Sequence, residues 1–503
     1  MGFRQVYTSR MTRNALVAVL LLVGAVGCGS SSGGSGAGAS NPDGSNDHDG
    51  GAGNGAEGGS SGGDDGTAAL PGADATTPGP DGASPGDAAI GTEGGIAGPT
   101  GRPYPDTTAS IAVLTDQLPA MNQAQMQFAT SHYVGTEKQL VAVTRALRAL
   151  NPNFLVLHYH LSMWQSAPST SFILPDASCA GAPVCWANDY PAVTNHEDWF
   201  WHNASAQRVV SSADQKLLMN IAVAGFQQYW EQSLEDQVTA GEYDGIFFDS
   251  ASPALLQGEC GGSGAGQDAR LGGTQVKSIV FPELGNATWI AAWQTWMKKL
   301  SDDLAAKGIP ILPNTSAFTT TWDTTNYGLT SGIFDEGFAG TGFVVADWVA
   351  STGELLKLAA ADKVMIMQNY LSAAGDVSTR MYYLGNYLLV RGRHTYIDYF
   401  TSGGALEWYP EWKIDLGAPV AAPSTDVSSL LKGGVYRRDF AKGSVLVNPS
   451  AAAVTVALGG TYQRVVPSGG GAVDTSGTEP GSLSMSPVTS IQVQPVSAEI
   501  VLK

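Results

Sequence analysis

The chain has 503 residues, of which 45 are acidic and 26 are basic, so its formal net charge is −19 at pH 7. A chain this acidic repels the phosphate backbone, which excludes nucleic acid as an expected partner. The length allows one large and one small domain in addition to a terminal extension.

The amino terminus has the order of a bacterial lipoprotein signal peptide. Two arginines precede an apolar run at 15–23, and small residues then lead to Cys28. The run is too short to span a bilayer, and the sequence LVGAVGC resembles a lipobox, whose cysteine is lipidated. We predict a signal peptide at 1–28 and an anchor at Cys28, in the outer membrane of a two-membrane cell because Gly29 follows the cysteine. An ordinary secretory signal is the alternative.

Residues 29–105 have the composition of a linker. Up to about residue 102 the segment is almost entirely Gly, Ser, Ala, Asp, Thr and Pro, without an aromatic side chain. Such a segment cannot bury enough apolar surface to offset its ordering entropy. We predict a disordered linker that keeps the rest of the chain clear of the membrane.

Eight short apolar runs follow, most of them separated by stretches with helical spacing. Several are apolar on consecutive residues, which is typical of strands buried on both faces of a parallel sheet. The pattern predicts an α/β fold, a (β/α)8 TIM barrel at 106–422. An open doubly wound sheet is the alternative, but no Gly-rich phosphate loop follows the first run. The runs are 110–117, 153–160, 216–222, 245–250, 310–316, 332–338, 363–370 and 394–400, and the helices are 137–150, 224–240, 287–307, 344–361 and 379–390.

Two of these runs end in carboxylates. In the fourth run, YDGIFFDS, Asp249 lies at the carboxyl end, where barrel enzymes place their active sites, and Asp244 at the other end is expected to cap a turn. In the sixth run, Asp335 and Glu336 point to opposite sides. We favour Glu336 for the site and keep Asp335 as the alternative. Such a pair suits glycoside hydrolysis, although each carboxylate could instead cap a loop or pair with an arginine.

Further polar and aromatic side chains lie at the ends of other runs. Carboxylates and amides bind sugar hydroxyls, and flat aromatic faces stack on sugar rings. Trp289, Trp293 and Trp296 recur at helical spacing and are expected in the core instead. The predicted substrate-binding residues are Asp116, His158, Tyr159, His160, Trp164, Asn314, Gln368 and Asp398.

His158 and His160 also match the opening of a metal-dependent amidohydrolase site. That site needs further imidazoles on later strands, where this chain has Asn314 and Glu336. We therefore expect neither a metal nor another cofactor.

Several of these segments resemble hypothetical glycosyl hydrolase family 15, a family of α-galactosidase-like TIM-barrel glycosidases. The resemblance covers about 107–503 and implies a strand-four Asp as nucleophile and a strand-six acid as proton donor, which correspond to Asp249 and Glu336. Family 114, the endo-α-1,4-polygalactosaminidases, has a similar strand-four signature and is a narrower alternative. The segments that resemble family 15 are 132–138, 243–250, 312–314, 334–338 and 383–400.

The last part of the chain, 423–503, has a different pattern. Short alternating runs separated by Gly-rich and Pro-containing turns predict a small all-β sandwich, and the lack of tryptophan favours packing on the barrel over sugar binding. The runs are 434–440, 444–448, 455–458, 462–466, 482–486 and 489–502. An exported chain also allows disulfides, of which Cys179 with Cys185 is the most economical, while either could pair with Cys260.

The sequence thus supports two hypotheses of different class. In the first, a monomeric, lipid-anchored enzyme cleaves an extracellular or envelope polysaccharide through Asp249 and Glu336, with retention if the carboxylates lie about 5 Å apart. In the second, the protein is a surface glycan-binding lipoprotein without turnover.

Overall fold

The computed structural model describes residues 97–166, 193–203, 208, 216–249, 251, 266–271, 274–280, 287–314, 327–339, 344–401, 403–422 and 424–503. They all belong to one compact unit that includes Gly95–Lys503. All four cysteines, including the predicted lipidation site, and the side chain of Trp289 lie outside the described part. None of the helices in these ranges is both long enough and apolar enough to cross a membrane.

Strands and helices are interspersed up to Thr401, and strands dominate the chain after that point. The helices are α1 Gln123–His132, α2 Val141–Leu150, α3 Ala224–Gly241, α4 Ala287–Ala305, α5 Val345–Ala360 and α6 Val377–Val390. The strands are β1 Leu114–Gln117, β2 Gly135–Glu137, β3 Leu155–Leu161, β4 Trp164–Ser166, β5 Trp201–Asn203, β6 Lys216–Leu218, β7 Ile246–Asp249, β8 Gly266–Leu271, β9 Thr274–Val280, β10 Ile311–Pro313, β11 Gly332–Glu336, β12 Val364–Leu371, β13 Thr395–Thr401, β14 Glu407–Trp408, β15 Leu431–Lys432, β16 Val435–Phe440, β17 Gly443–Asn448, β18 Val454–Ser468, β19 Gly471–Ala472, β20 Ser482–Val493 and β21 Ser497–Leu502.

Eight of these strands are parallel and form two sheets. One sheet has the order β1-β2-β3-β7-β10 and the other the order β11-β12-β13. Two isolated parallel bridges lie at their edges, Asn314 with Phe334 between β10 and β11, and Val113 with Ile397 between β1 and β13. The predicted mixed α/β class is confirmed, and the parallel strands bring their carboxyl ends to one side.

Apart from β1, these strands are buried on both faces, and their residues alternate between two cores. Tyr159, Phe247 and Phe334 belong to a cluster formed by one face of the sheets. Residues between them, such as Phe248 and Ile333, belong to the larger cluster that includes the helices. This burial on both sides explains why the strands are apolar on consecutive residues.

One predicted strand is wrong. The run at 216–222 forms only the short β6, Lys216–Leu218, which pairs antiparallel with β4 and does not join the parallel sheets. The eighth parallel strand is instead β2, Gly135–Glu137, which was not predicted and lies between β1 and β3. The predicted helix at 137–150 accordingly begins at Val141, while Asp249 and Glu336 keep their places on the fourth and sixth parallel strands.

The segment before β1 packs against the amino ends of the strands. Ala97 bridges to Pro103, and the ring of Tyr104 is buried in the strand core. Arg102 reaches Asp244, the residue expected to cap a turn. The predicted linker, which extends to residue 105, therefore overlaps a segment that is folded from Ala97 onward.

After Leu431 the chain forms an antiparallel sheet with the strand order β15-β16-β17-β21-β18-β20. This agrees with the predicted all-β pattern, with two differences. The predicted runs at 455–458 and 462–466 form one strand with an irregularity between Ala457 and Tyr462, and the run predicted at 489–502 is split into β20 and β21. Side chains on both faces of this sheet are buried, in two separate clusters.

Helix α6 contacts this antiparallel sheet through Gly385. A Cβ atom added there would lie 2.3 Å from the Cβ of Ala498 and 3.1 Å from Cγ2 of Val447. We expect Gly385→Ala to lower the free energy of unfolding by about 1–3 kcal/mol, because overpacking outweighs the gain in helix propensity. Gly375→Ala, where the new Cβ meets nothing within 4 Å, is the matched control. Equal urea midpoints for the two variants would contradict this packing.

Candidate active site

Asp249 and Glu336 lie side by side at the carboxyl ends of β7 and β11. The amide nitrogen of Asn314, just after β10, donates to Oδ1 of Asp249 at 3.1 Å and to Oε2 of Glu336 at 2.7 Å. Since both bonds start from one nitrogen atom, the two acceptor oxygens are at most about 6 Å apart, near the separation of retaining glycosidases. The two carboxylates therefore form a pair, here called the carboxylate pair.

Each member of the pair also accepts a hydrogen bond from a tyrosine hydroxyl. Tyr159 on β3 donates to Oδ2 of Asp249, and Tyr370 on β12 donates to Oε1 of Glu336, both at 2.6 Å. Burial, followed by the neighbouring carboxylate charge, raises the pKa of Tyr159 and of Tyr370. Both phenols thus remain protonated donors that fix the orientation of the pair.

Strand alternation separates Glu336 from Asp335. Glu336 is partly exposed and faces Asn314, whereas Asp335 is fully buried on the opposite face of β11. The charge of Asp335 acts on Tyr327, whose pKa burial already raises. Glu336, rather than Asp335, is the acid beside Asp249.

A second group of acids lies next to the pair. Asp398 on β13 accepts hydrogen bonds from the backbone N–H of Asp116 at 2.9 Å and from the hydroxyl of Thr115 at 3.2 Å. Burial raises the pKa of Asp398 well above its usual range. Gln368 is buried on β12, in register between Glu336 and Asp398. Asp116 and Asp398 line a cavity of about 280 Å³ that also contacts Tyr133 and Glu407.

Lys138 lies among these acids. Its Nζ is 2.7 Å from Oδ1 of Asp116, and the side chain is 20% exposed. Burial lowers the pKa of this lysine, but the carboxylates of Asp116 and Glu137 outweigh burial, so the net direction is upward. Burial raises the pKa of the adjacent Glu137, whose side chain is fully enclosed. Lys138 is therefore a permanent cation at the carboxyl ends of the strands.

The family of the chain follows from a sequence comparison. The model of hypothetical glycosyl hydrolase family 15 matches residues 148–444, which is more than half of the chain and includes both members of the carboxylate pair. The chain belongs to this family. Membership in family 15 supports a glycoside hydrolase, an enzyme that acts on a carbohydrate.

The solved structures that resemble this chain have little sequence identity to it. A Paenibacillus cycloisomaltooligosaccharide glucanotransferase is 11% identical with a TM-score of 0.33, covering 78% of this chain and 55% of its own. A maltogenic α-amylase from Thermotoga neapolitana is 9% identical with a TM-score of 0.37, and the match covers 78% of this chain and 99% of the amylase. A family 31 dextranase from Flavobacterium johnsoniae is 8% identical with a TM-score of 0.38, and the match covers 80% of this chain and 52% of the dextranase. The chain spans about half the length of the glucanotransferase and the dextranase. Curated proteins give no match.

Three residues predicted to bind substrate lie elsewhere. His158 and His160 are on the helix-facing side of β3, where His158 bonds Gln237 at 2.8 Å and His160 packs edge-on against Trp230. Trp164 on β4 is 4% exposed and belongs to the helix-facing core. The structure thus places these three residues outside the candidate site. Alternate residues of β3 point to opposite faces, so the two histidines lie on the side opposite to Tyr159, and Trp164 is in the core beside the helices.

The candidate site contains two further residues that were not predicted from the sequence, Tyr370 and Lys138. Tyr370 follows Gln368 by two positions and so shares its side of β12, a signal that alternation could have supplied. Lys138 follows a strand of only three residues, too short for a periodic pattern. Trp293 and Trp296, expected in the core, are buried there.

Proposed function

We propose that this member of hypothetical glycosyl hydrolase family 15 is a retaining glycoside hydrolase that acts on an extracellular or envelope polysaccharide. Asp249 is the nucleophile and Glu336 is the general acid and base. Asp116, Gln368 and Asp398 contact the substrate around the pair. The hydrolase class is supported by the family, and the residue roles rest on the geometry of the site.

One observation carries the proposal, the bridging of Asp249 and Glu336 by the amide of Asn314. Retaining enzymes place their carboxyl groups about 5–5.5 Å apart, and inverting enzymes place them at about 6.5–9.5 Å to admit a water molecule. An upper limit of about 6 Å between the bridged oxygens favours the first arrangement. Carboxylates that merely cap loops would not share one donor.

The reaction then has two steps. In the first, Asp249 attacks the anomeric carbon while Glu336 gives its proton to the departing glycosidic oxygen, which forms a glycosyl ester on Asp249. In the second, Glu336 removes a proton from water, the hydroxyl adds to the anomeric carbon, and the ester bond to Asp249 breaks. Tyr159 and Asn314 hold Asp249 for the attack by donating to both of its oxygens.

We also propose that the eight parallel strands close into a (β/α)8 barrel, with an all-β sandwich domain at 423–503. Closure is supported by the two parallel bridges between the sheets, at Asn314 and Phe334 and at Val113 and Ile397. It is also supported by the backbone hydrogen bond of 3.0 Å from Ile397 to Ala112. In such a barrel the carboxyl ends of the strands form the active-site face.

Export and lipid attachment at Cys28 are part of the proposal. They are supported by the sequence of the signal segment, whose charged, apolar and small-residue parts have the order of a lipoprotein precursor. A polysaccharide outside the cell is then the substrate within reach, and the outer membrane is the expected site of attachment.

The test is hydrolysis by the purified protein of galactose-, galactosamine- and glucose-based polymers, the second of which covers a polygalactosaminidase-like activity. We expect new reducing ends from one of these polymers. Proton NMR of the first products should give the anomeric configuration of the bond that was cut. The Asp249→Asn and Glu336→Gln double variant is the control, since it keeps the shapes of both side chains.

Two outcomes would contradict the proposal. A first product of opposite anomeric configuration would show an inverting mechanism. Binding of a polymer in affinity electrophoresis by wild type and double variant alike, without release of reducing ends, would instead support a glycan-binding protein without turnover.

A further inference from the structure

Lys138 has an unusual position in the site. Its backbone has a φ of 57°, in the left-handed region that residues other than glycine rarely adopt. Such a conformation persists where the surrounding contacts hold it, and these residues concentrate at functional sites. The side chain of Lys138 forms an ion pair of 2.7 Å with Asp116.

The ammonium group of Lys138 lies on the Asp249 side of the carboxylate pair. Its Nζ is 5.3 Å from the ring centre of Tyr159 and 5.1 Å from that of Phe247. The Tyr159 ring carries the hydroxyl that donates to Asp249. Phe247 precedes Asp249 by two positions on β7 and so shares its face. Both rings therefore place the cation close to Asp249.

The shared amide and the two tyrosines do not distinguish the members of the pair. Each accepts from the shared amide of Asn314, and each accepts from one tyrosine hydroxyl. Neutral donors of this kind do not decide which carboxylate is the nucleophile and which carries the proton. A nearby positive charge does, because it stabilises the ionised form of the closer carboxylate.

We propose that Lys138 is a positioning residue that assigns the roles of the pair, because its positive charge on the Asp249 side makes Asp249 the nucleophile. This inference rests on the proposed function. Asp116 opposes the effect, because its negative charge neutralises part of the lysine charge. Among the described residues, Asp116, Glu137 and Asp249 act on Lys138, while Asp249, Asp116 and Glu336 act on Tyr159, and Asp398 lies behind Asp116.

The experiment follows the protonation of Asp249 in the free, full-length protein, so that it does not depend on a substrate. Carboxyl-carbon NMR of aspartate-labelled protein is recorded against pH, and the Asp249 signal is assigned by its loss in Asp249→Asn. We expect Lys138→Met to move the midpoint of this titration up by about one pH unit. Lys138→Arg should leave it unchanged, and Asp116→Asn should move it down.

The opposite directions of the Lys138 and Asp116 variants separate an electrostatic role from a structural one, since a loss of packing would disturb both in the same way. If Lys138→Met does not fold, Lys138→Gln takes its place, with the same expected direction. An unchanged midpoint in the neutral Lys138 variant overturns the inference, whether or not the wild type cleaves any polymer. Failure of the proposed function is read separately, from the absence of reducing ends with wild type.

Discussion

Replacement of Asp249 by alanine is expected to lower kcat/KM on the responsive polymer by on the order of 10⁴-fold, because the first step then lacks its nucleophile. Added azide should restore part of the turnover. Azide fits the space left by the carboxylate and attacks the anomeric carbon directly, so the glycosyl azide should have the inverted configuration.

Glu336→Ala is the informative partner of this variant. When the substrate carries a good leaving group, the glycosyl ester on Asp249 still forms in this variant. Azide then displaces Asp249 from the ester, so the azide product should keep the original configuration. Asp302→Ala, which removes an exposed carboxylate on α4, is the control and should retain wild-type kcat/KM. If both site variants gave azides of the same configuration, the assigned roles would be wrong.

The second large effect concerns stability. Asp244 is fully buried, and its Oδ2 accepts from Nη2 of Arg148 at 2.6 Å and from the backbone N–H of Val156 at 2.8 Å. Its Oδ1 accepts from Thr100 and Arg102. Asp244→Ala leaves the charge of Arg148, whose side chain is 6% exposed, without its partner. We expect the free energy of unfolding to fall by about 3–5 kcal/mol, measured by urea denaturation.

Glu242→Gln provides the matched comparison. Glu242 pairs with Arg145 at 3.1 Å, but both side chains are about half exposed, and exposed pairs contribute about 0–1 kcal/mol. The double variant Asp244→Ala, Arg148→Met should recover part of the loss, because no buried charge remains unpaired. If Asp244→Ala and Glu242→Gln had equal free energies of unfolding, the contribution assigned to the buried pair of Asp244 and Arg148 would be wrong.

The strands that could be predicted are those whose burial leaves a continuous apolar run. For β7, β11, β12 and β13, this signal is as long as the strand. The short β2 has no such signal, because Gly135–Glu137 has only three residues and becomes a strand by pairing with β1 and β3 on its two sides. A Cβ at Gly135 would lie 2.6 Å from the carbonyl oxygen of Leu155. The run at 216–222 is apolar because it packs in the helix-facing core, and apolarity alone does not tell which layer a strand joins.

The prediction of the site was limited in the same way. Asp249 and Glu336 could be predicted because a strand end fixes the level of a residue, and alternation tells which of its neighbours share its side. On β3 the level of Tyr159 was right, but the two flanking histidines were assigned to the site as well, since the sequence gives their alternation and not which face each one takes. The contacts of Asn314 and Lys138 join different strands, and no spacing along the chain reports such a contact.

The amino-terminal segment also determines how the site is presented. This segment reaches the strands at Arg102, which bonds Asp244, while Asp249 lies at the other end of β7, roughly 15 Å away along the strand direction. The segment 97–104 thus lies at the end of β7 opposite to Asp249. A polymer that binds at the carboxylate pair would therefore approach the parallel strands from the end opposite to Arg102.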